Sequence, residues 1–206
     1  MSYLFFIDYD DTLLCSDLLY SEAKNQKIEV LNMVINPKLN VKLKKLENKI
    51  IEFLQYLKLK GDVIILTNAT TSWVYNSSLK FMPKVNNFLK EIKVVSAYEK
   101  YKEKNPNLID ENIYHWKLHT FSSIINEMKN KNLNIISIGD SDYERYAVEV
   151  LNDEIQLKKN LNIKSIQNIK FIENPNITKI IIQLNMINLN LNYFLKSDEV
   201  FTKFIC

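Results

Sequence analysis

The chain has 206 residues, of which 47% are hydrophobic and 25% are charged, values that indicate a single soluble globular domain with a sizeable core. Its formal net charge of +3, from 27 basic and 24 acidic residues, is too small to indicate a nucleic-acid groove, although it does not exclude one. The two cysteines, Cys15 and Cys206, lie near opposite ends of the chain and indicate no disulfide framework, so we expect a reduced, cytoplasmic protein.

Short apolar runs predict the strands. They cover residues 3–7, 63–66, 92–95 and 135–138, with a fifth candidate at 169–172. Runs of this length with little polar alternation are typical of strands that are buried on both faces of a parallel sheet.

Apolar residues at a spacing of 3.6 predict helices between and after these strands, over residues 41–59, 70–81, 84–91, 114–131, 143–152 and 177–195. Strands that alternate with helices predict an α/β fold with a doubly wound, Rossmann-like parallel sheet and helices on both faces. No repeat or linker divides the chain. We therefore predict one domain over 1–206, whose final segment 176–206 is a helix packed on the core.

Neither end of the chain has the pattern of a targeting segment or a membrane span. Asp8 interrupts the first apolar run, which also has no basic flank or cleavage site. Five amide side chains interrupt the apolar stretch 180–195, which is the pattern of an amphipathic helix. We expect no contact with a membrane.

The first chemically informative cluster is Asp8 and Asp10, which follow the first predicted strand directly. Two carboxylates this close repel each other and need a cation or a shared proton. Mg²⁺, which prefers oxygen ligands, suits them best. One carboxylate could attack phosphorus while the other transfers protons. The alternative is an ordinary acidic turn after an edge strand.

The second cluster, Gly139 and Asp140 with Glu144 one helical turn later, follows the strand predicted at 135–138. Asp140 is placed to complete a metal site with the first cluster, because parallel strands bring their carboxyl ends together. Glu144 could hold a metal-bound water or orient a ligand. The alternative is a helix N-cap by Asp140 or Ser141, with Glu144 in the first turn.

Two further groups could bind phosphate. Thr67 and Asn68 follow the strand predicted at 63–66, where a hydroxyl and a backbone N–H can hold phosphate oxygens, although a simple turn would look the same. Lys117 begins the helix before the Asp140 strand and could stabilise a transferring phosphoryl group. His115 and His119 are spaced for a metal, but without a zincin-type acidic partner packing is the favoured interpretation.

In combination these residues resemble the motifs of the haloacid dehalogenase superfamily, in its phosphatase branch. Asp8, Asp10 and Thr12 match its first motif, DxDxT, and Thr67 matches the threonine that ends its second motif strand. Lys117 is the best candidate for the motif lysine, and Gly139, Asp140 and Glu144 match the fourth motif. The resemblance covers about residues 3–145. The chain departs from it with Glu144 in place of the commoner Asp and with Asp11 where many relatives have Gly.

The resemblance implies a role for each matching residue. Asp8 would be the nucleophile and a ligand of Mg²⁺. Asp10 would be the general acid and base, with its backbone carbonyl on the metal. Thr67, with Asn68 beside it, and Lys117 would bind the phosphoryl group. Asp140 would ligate Mg²⁺, and Glu144 would support the metal site. An Asp two residues after the nucleophile favours phosphatases and phosphomutases over dehalogenases and transport ATPases of the superfamily.

The segments available for a cap domain are short, namely residues 13–40 after the first motif and 96–113 after the third strand. The first suffices for a flap with a helix or two, and the second for a loop with one helical turn. We therefore expect a minimal cap and an open site that suits a large phosphorylated substrate or is closed by a partner subunit.

Three functions are compatible with the sequence. The first is an Mg²⁺-dependent phosphomonoester hydrolase that forms an aspartyl-phosphate. The second is a related phosphoryl-transfer enzyme, such as a mutase or a nucleic-acid 3′-phosphatase. The third is a non-catalytic binding protein that retains the fold, although all the expected polar groups are present.

Overall fold

A computed structural model describes residues 2–104, 113–128, 132–157, 163–196 and 202–204. These residues form a six-stranded parallel sheet in the order β3-β2-β1-β4-β5-β6. The strands are β1 (Ser2–Ile7), β2 (Asp62–Thr67), β3 (Lys93–Ser96), β4 (Leu133–Gly139), β5 (Ile163–Lys170) and β6 (Thr202–Phe204). The predicted doubly wound α/β fold is confirmed.

Within the described residues, eight α-helices cover the two faces of the sheet. They are α1 (Ser16–Gln26), α2 (Pro37–Lys58), α3 (Thr71–Phe81), α4 (Pro83–Leu89), α5 (Ala97–Lys104), α6 (Ile113–Glu127), α7 (Asp142–Gln156) and α8 (Ile177–Lys196). One core contains buried side chains of α1–α4 and α8, and the other contains those of α5–α7. Along β1, Phe5 and Ile7 belong to the first core, whereas Leu4 and Phe6 belong to the second. The central strand is therefore buried on both sides, as its uninterrupted apolar sequence predicts.

Helix α2 begins four residues before the predicted position because its N-terminus is capped locally. The Asn36 side chain accepts a hydrogen bond from the backbone N–H of Leu39 at 2.9 Å, and Pro37 occupies the first turn. The first turn also continues the apolar rhythm, since Leu39 is buried four residues before Leu43. The segment between β1 and α2 is correspondingly shorter than the predicted flap of residues 13–40.

That shorter segment contains α1 and a 3₁₀ turn, Val30–Asn32. Leu19, Ala23 and Met33 anchor it in the core. The side-chain amide of Gln26 donates to the carbonyl of Val34 at 3.0 Å and accepts from its N–H at 2.9 Å. We call residues 13–36 the flap.

Other predicted boundaries also differ from the structure. Strand β5 ends at Lys170 and covers only the first two residues of the predicted 169–172, because it is built from Gln167, Asn168 and other polar residues that the structure buries. Residues 97–104 form α5, two turns where one was expected, and 105–112 lie outside the described residues. The C-terminal segment continues beyond α8 into a strand, β6, so 176–206 is not a single helix.

Helix α8 packs its apolar stripe in the same core as α2, through Ile180, Leu184, Ile187 and Leu191. Its opposite face carries exposed Leu189 and amide side chains. In the described part of the chain, no helix is both long enough and apolar enough to cross a membrane.

Candidate active site

The candidate site lies where the carboxyl ends of β1, β2 and β4 meet. The backbone N–H of Asp8 donates to the carbonyl of Ile138 at 2.9 Å, so the residues that follow β1 and β4 are held side by side. A cavity of about 170 Å³ opens at this edge. Its lining contains Asp8, Asp10, Asp11, Thr67, Asn68, Lys117, Asp140, Ser141 and Tyr143.

The loop after β1 is a tight turn. The N–H groups of Leu13 and Leu14 both donate to the carbonyl of Tyr9 at 2.9 Å, and Asp11 donates to Leu14 at 2.6 Å. Asp11 has a φ of 51°, in the left-handed region that glycine adopts most easily and that Asp tolerates better than most residues. Its side chain accepts from the N–H of Asp17 at 3.2 Å, near the start of α1. The departure at Asp11 is therefore accommodated by the turn.

Asp10 is held by two side chains that come from different elements. The Ser16 hydroxyl, at the start of α1, and the indole N–H of Trp73, on α3, both donate to its Oδ1, the second at 2.8 Å. Burial raises the pKa of Asp10, and these two donors pull it back toward its ordinary value. Neither partner was predicted. Trp73 lies 63 residues from Asp10, and Ser16, although only six residues away, belongs to no recognisable motif.

Lys117 lies on the buried face of α6 between two carboxylates. Its Nζ is 2.7 Å from Oδ1 of Asp8, and it also donates to Oε1 of Glu144. The lysine is only 1% exposed. Burial alone would lower its pKa, but Asp8 and Glu144 together raise it, so the ammonium stays charged.

Glu144 connects Lys117 to the start of α7. Its Oε2 accepts from the N–H and the hydroxyl of Ser141, at 3.2 and 2.5 Å, which completes a capping box. Gly139 makes room for this carboxylate, since a Cβ there would lie 2.6 Å from the Glu144 side chain. The N-cap interpretation thus holds for Ser141 and Glu144. As a metal ligand, Glu144 would have to leave Lys117 or Ser141.

Asp140 is fixed from two sides. Its Oδ1 accepts from the Thr12 hydroxyl at 3.3 Å, and its backbone carbonyl accepts from Nζ of Lys170 at the end of β5. Lys170 is itself buried and also pairs with Glu173 at 2.9 Å. Lys170 was not predicted as a site residue, because β5 was predicted to lie later in the chain than it does.

Thr67 and Asn68 face the cavity from the end of β2. The Thr67 hydroxyl accepts from the N–H of Ala69 at 3.0 Å, which shapes the turn. Both polar atoms of the Asn68 side chain are inaccessible to solvent and have no hydrogen-bond partner in the described structure. A buried amide in this condition is unfavourable unless a ligand or water completes its hydrogen bonds.

The site has an excess of negative charge. Burial raises the pKa of Asp8 well above its ordinary value despite Lys117, and Glu144 and Asp140 raise it further. Burial also raises the pKa of Asp140 to about 6 and that of Asp11 to about 7, and neighbouring carboxylates add to both shifts. A cation among these groups would favour their charged forms and reverse the shifts.

The donors fit Mg²⁺ better than a metal with an all-protein ligand set. Among the described residues, no group of three or more His, Cys, Asp or Glu side chains is arranged to hold a metal ion. Of the predicted ligands, Asp8, Asp10 and Asp140 line the cavity, so they supply at most three carboxylates there. Mg²⁺ is commonly bound by one or two carboxylates and keeps several waters, so this sparse oxygen set suits it.

The structure brings Asp8, Asp10, Thr67, Asn68, Lys117 and Asp140 to one cavity, and Glu144 reaches it through Lys117. Two aromatic residues of neighbouring elements, Tyr9 and Tyr101, do not line this cavity. Tyr9 is buried and its hydroxyl is 2.9 Å from that of Ser77, and Tyr101 is buried beside His119. His115 and His119 pack with aromatic rings of α5 and α7, which agrees with the packing interpretation.

Comparison of the chain with protein-family models, with curated proteins and with solved structures finds no match. The functional assignment of this protein therefore depends on the geometry of its own residues.

Proposed function

We propose that this protein is a phosphomonoester hydrolase of the haloacid dehalogenase type, with Asp8 as its nucleophile and Mg²⁺ as its cofactor. The observation that carries the proposal is the buried contact of Lys117 with Asp8 at 2.7 Å, beside Asp10 and Asp140 in one cavity. A lysine that binds the attacking carboxylate and can also reach the phosphoryl group suits transfer of a negatively charged group.

In the first half-reaction, a carboxylate oxygen of Asp8 attacks phosphorus and the bond from phosphorus to the leaving oxygen breaks. Asp10 gives its proton to that leaving oxygen, and an aspartyl-phosphate remains on Asp8. Lys117 stabilises the negative charge of the transferred group. Thr67 and the unpaired amide of Asn68 would bind its oxygens.

In the second half-reaction, Asp10 takes a proton from a water that attacks the aspartyl-phosphate. The bond between phosphorus and Asp8 breaks, which releases inorganic phosphate and restores both carboxyl groups. The hydrogen bonds from Ser16 and Trp73 keep Asp10 in one orientation through both steps.

Mg²⁺, held by Asp8, Asp140 and the carbonyl of Asp10, would supply charge neutralisation between the nucleophile and the phosphate. Lys170 donates a hydrogen bond to the backbone carbonyl of Asp140, and Thr12 donates one to its side chain. These two contacts fix the second carboxylate relative to the first.

The experiment is hydrolysis of 4-nitrophenyl phosphate with Mg²⁺ and after its removal by EDTA. We expect activity only with the metal, and a loss of about 10⁴-fold or more in Asp8→Asn, because the nucleophile is absent. A burst of nitrophenolate before the steady state would report the covalent intermediate.

Asp62→Asn is the matched control, since Asp62 is exposed at the opposite end of β2. It should hydrolyse the substrate at the wild-type rate. Equal rates in wild type and Asp8→Asn would contradict the assignment of the nucleophile. If both were inactive and calorimetry detected no Mg²⁺ binding, the protein would instead be a non-catalytic member of this fold.

A further inference from the structure

Two aromatic rings form a platform beside the candidate site. Tyr20, on α1 of the flap, stacks on Trp73 of α3, with 5.4 Å between the ring centroids and 19° between the planes. Tyr20 is 50% exposed. Both rings line a groove of about 860 Å³, which is distinct from the smaller cavity that contains the carboxylates.

Trp73 connects this groove to Asp10 of the candidate site. One edge of its indole donates to Asp10 at 2.8 Å, and its face lies against Tyr20. A leaving group in the groove would therefore lie next to the carboxyl group proposed to protonate it. The aromatic platform and the general acid are positioned by the same side chain.

The groove also contains positive charge. Lys24 and Lys27 line it at the end of α1, and neither forms an ion pair with another residue in the described part of the chain. Glu29 lines the same groove and reduces its net charge. Two lysines beside an aromatic surface suit a ligand that combines a flat ring with an anionic group.

We infer that the flap platform of Tyr20, Trp73, Lys24 and Lys27 binds the leaving group of a nucleotide-like substrate. Its base stacks on the aromatic pair, a second phosphate lies near the two lysines, and the phosphate to be hydrolysed reaches Asp8. This inference rests on the proposed phosphatase function. The chemistry is that of a nucleoside carrying two phosphates, which exists as a free bisphosphate or as the phosphorylated end of a strand.

The test compares kcat/KM for adenosine 3′,5′-bisphosphate and for glycerol 1-phosphate, which has no ring. We expect wild type to prefer the bisphosphate by at least about tenfold, the ratio that one stacked base provides. Tyr20→Ala should reduce this preference by about tenfold. Tyr75→Ala, on the same helix as Trp73 but outside the groove, is the control and should keep it.

Two further variants separate stacking from charge and from positioning. Lys24→Met with Lys27→Met should lower the preference for the bisphosphate over adenosine 5′-monophosphate, whereas Lys44→Met, at an exposed position of α2 outside the groove, should not. Trp73→Phe keeps a ring but removes the hydrogen bond to Asp10. It should lower kcat for both the bisphosphate and glycerol 1-phosphate by a similar factor.

Binding to Asp8→Asn gives a readout that does not require turnover. Quenching of tryptophan fluorescence by the bisphosphate should be saturable in this variant and should weaken about tenfold when Tyr20→Ala is added. Circular dichroism and thermal unfolding would show that the Tyr20 variant is folded, which is expected for a residue with half its side chain in solvent.

The outcomes distinguish the two proposals. Hydrolysis of 4-nitrophenyl phosphate that depends on Asp8, with no preference for the bisphosphate and no effect of Tyr20→Ala, would overturn the platform and leave the phosphatase intact. Hydrolysis that does not depend on Asp8 would overturn the assignment of Asp8 as the nucleophile, on which the inference rests. A dinucleotide with a terminal phosphate that is hydrolysed faster than the bisphosphate would identify the strand end as the source, and the reverse would identify the free nucleotide.

Discussion

The two halves of the candidate site differ in how their polar groups are satisfied. On the side of β4 and α6, Lys117 bonds both Asp8 and Glu144, and Glu144 also caps α7. On the side of β2 and the flap, the amide of Asn68 has no partner among the described residues, and Tyr20 exposes half of its side chain.

This difference indicates that one half of the site is preorganised for a chemical step, whereas the other half is suited to bind a ligand. Charged groups that are already paired in the protein need no rearrangement when a substrate arrives, which favours a precise chemical step. Groups without partners in the protein are those that a ligand can satisfy, and a buried amide left unpaired destabilises the fold by about 1–3 kcal/mol. We call the side of β4 and α6 the paired half and the side of β2 and the flap the open half. We expect mutations in the paired half to affect both folding and catalysis, and mutations in the open half to affect mainly substrate use.

Lys117→Met should have the largest effect. It leaves Asp8 and Glu144 buried without their cation, and breaking a buried ion pair in this way typically lowers the free energy of unfolding by about 3–5 kcal/mol. Loss of the charge proposed to stabilise the phosphoryl group should also lower kcat by about 10³-fold. Urea unfolding and steady-state kinetics would measure both effects.

Lys100→Met is the matched control, since Lys100 pairs with Glu127 on the surface at 2.9 Å. An exposed pair of this kind contributes about 0–1 kcal/mol, and kcat should not change. If Lys117→Met proved no less stable than Lys100→Met, the paired half would not be a buried ion network.

Gly139→Ala should have a smaller effect on the same half. The added Cβ would lie within 2.8 Å of three atoms of the Glu144 side chain and force that carboxylate away from Lys117. We expect kcat to fall by about tenfold and stability to fall by about 1–3 kcal/mol, the usual range for overpacking. Substrate affinity in the open half should be retained.

Gly61→Ala provides the contrast, because its Cβ would meet the backbone oxygen of Tyr3 at 2.2 Å, away from the site. It should reduce the free energy of unfolding by at least as much as Gly139→Ala, with kcat of the folded protein unchanged. A loss of kcat in Gly61→Ala comparable to that in Gly139→Ala would show that general loosening, not the position of Glu144, lowers the rate.

Asn68→Ala tests the open half of the site and should have the smallest effect on folding. Removing an amide that has no partner in the described structure should leave the unfolding midpoint unchanged or raise it slightly. The proposed contact with phosphate would be lost, so kcat/KM should fall by about tenfold. Asn86→Ala is the control. Asn86 donates to the carbonyl of Tyr75 and the hydroxyl of Ser78, both at 2.8 Å, so its loss should destabilise the protein without affecting kcat/KM.

The sequence was informative where structure and chemistry depend on the same short segment. An apolar strand followed by Asp8 and Asp10, or by Gly139 and Asp140, predicts both the strand and the place of the carboxylates, because parallel strands end at one edge. Lys117 was harder to identify among many lysines. Its position at the start of a helix was the available signal, and its burial became visible only in the structure.

The contacts that could not be predicted depend on distant packing. Trp73 reaches Asp10 across 63 positions of sequence, and no local pattern records that distance. Strand β5 was misplaced because Gln167, Asn168 and Lys170 look like surface residues, whereas the structure buries all three. With β5 misplaced, Lys170 could not be recognised as the residue that holds Asp140.

The side-chain amide of Gln26 makes the flap tolerant of inserted residues. This side chain bonds both the carbonyl and the N–H of Val34, as a neighbouring backbone would. These two bonds hold together the ends of the loop formed by residues 27–33. Closing a longer loop is only slightly less favourable, by about 0.6 kcal/mol for each doubling of its length. Residues inserted inside this loop would therefore enlarge one wall of the groove, which residues 27–31 line, while leaving α1 and the hydrogen bond from Ser16 to Asp10 in place. The fold could in this way acquire a larger cap, and a different substrate range, without rebuilding its reaction centre.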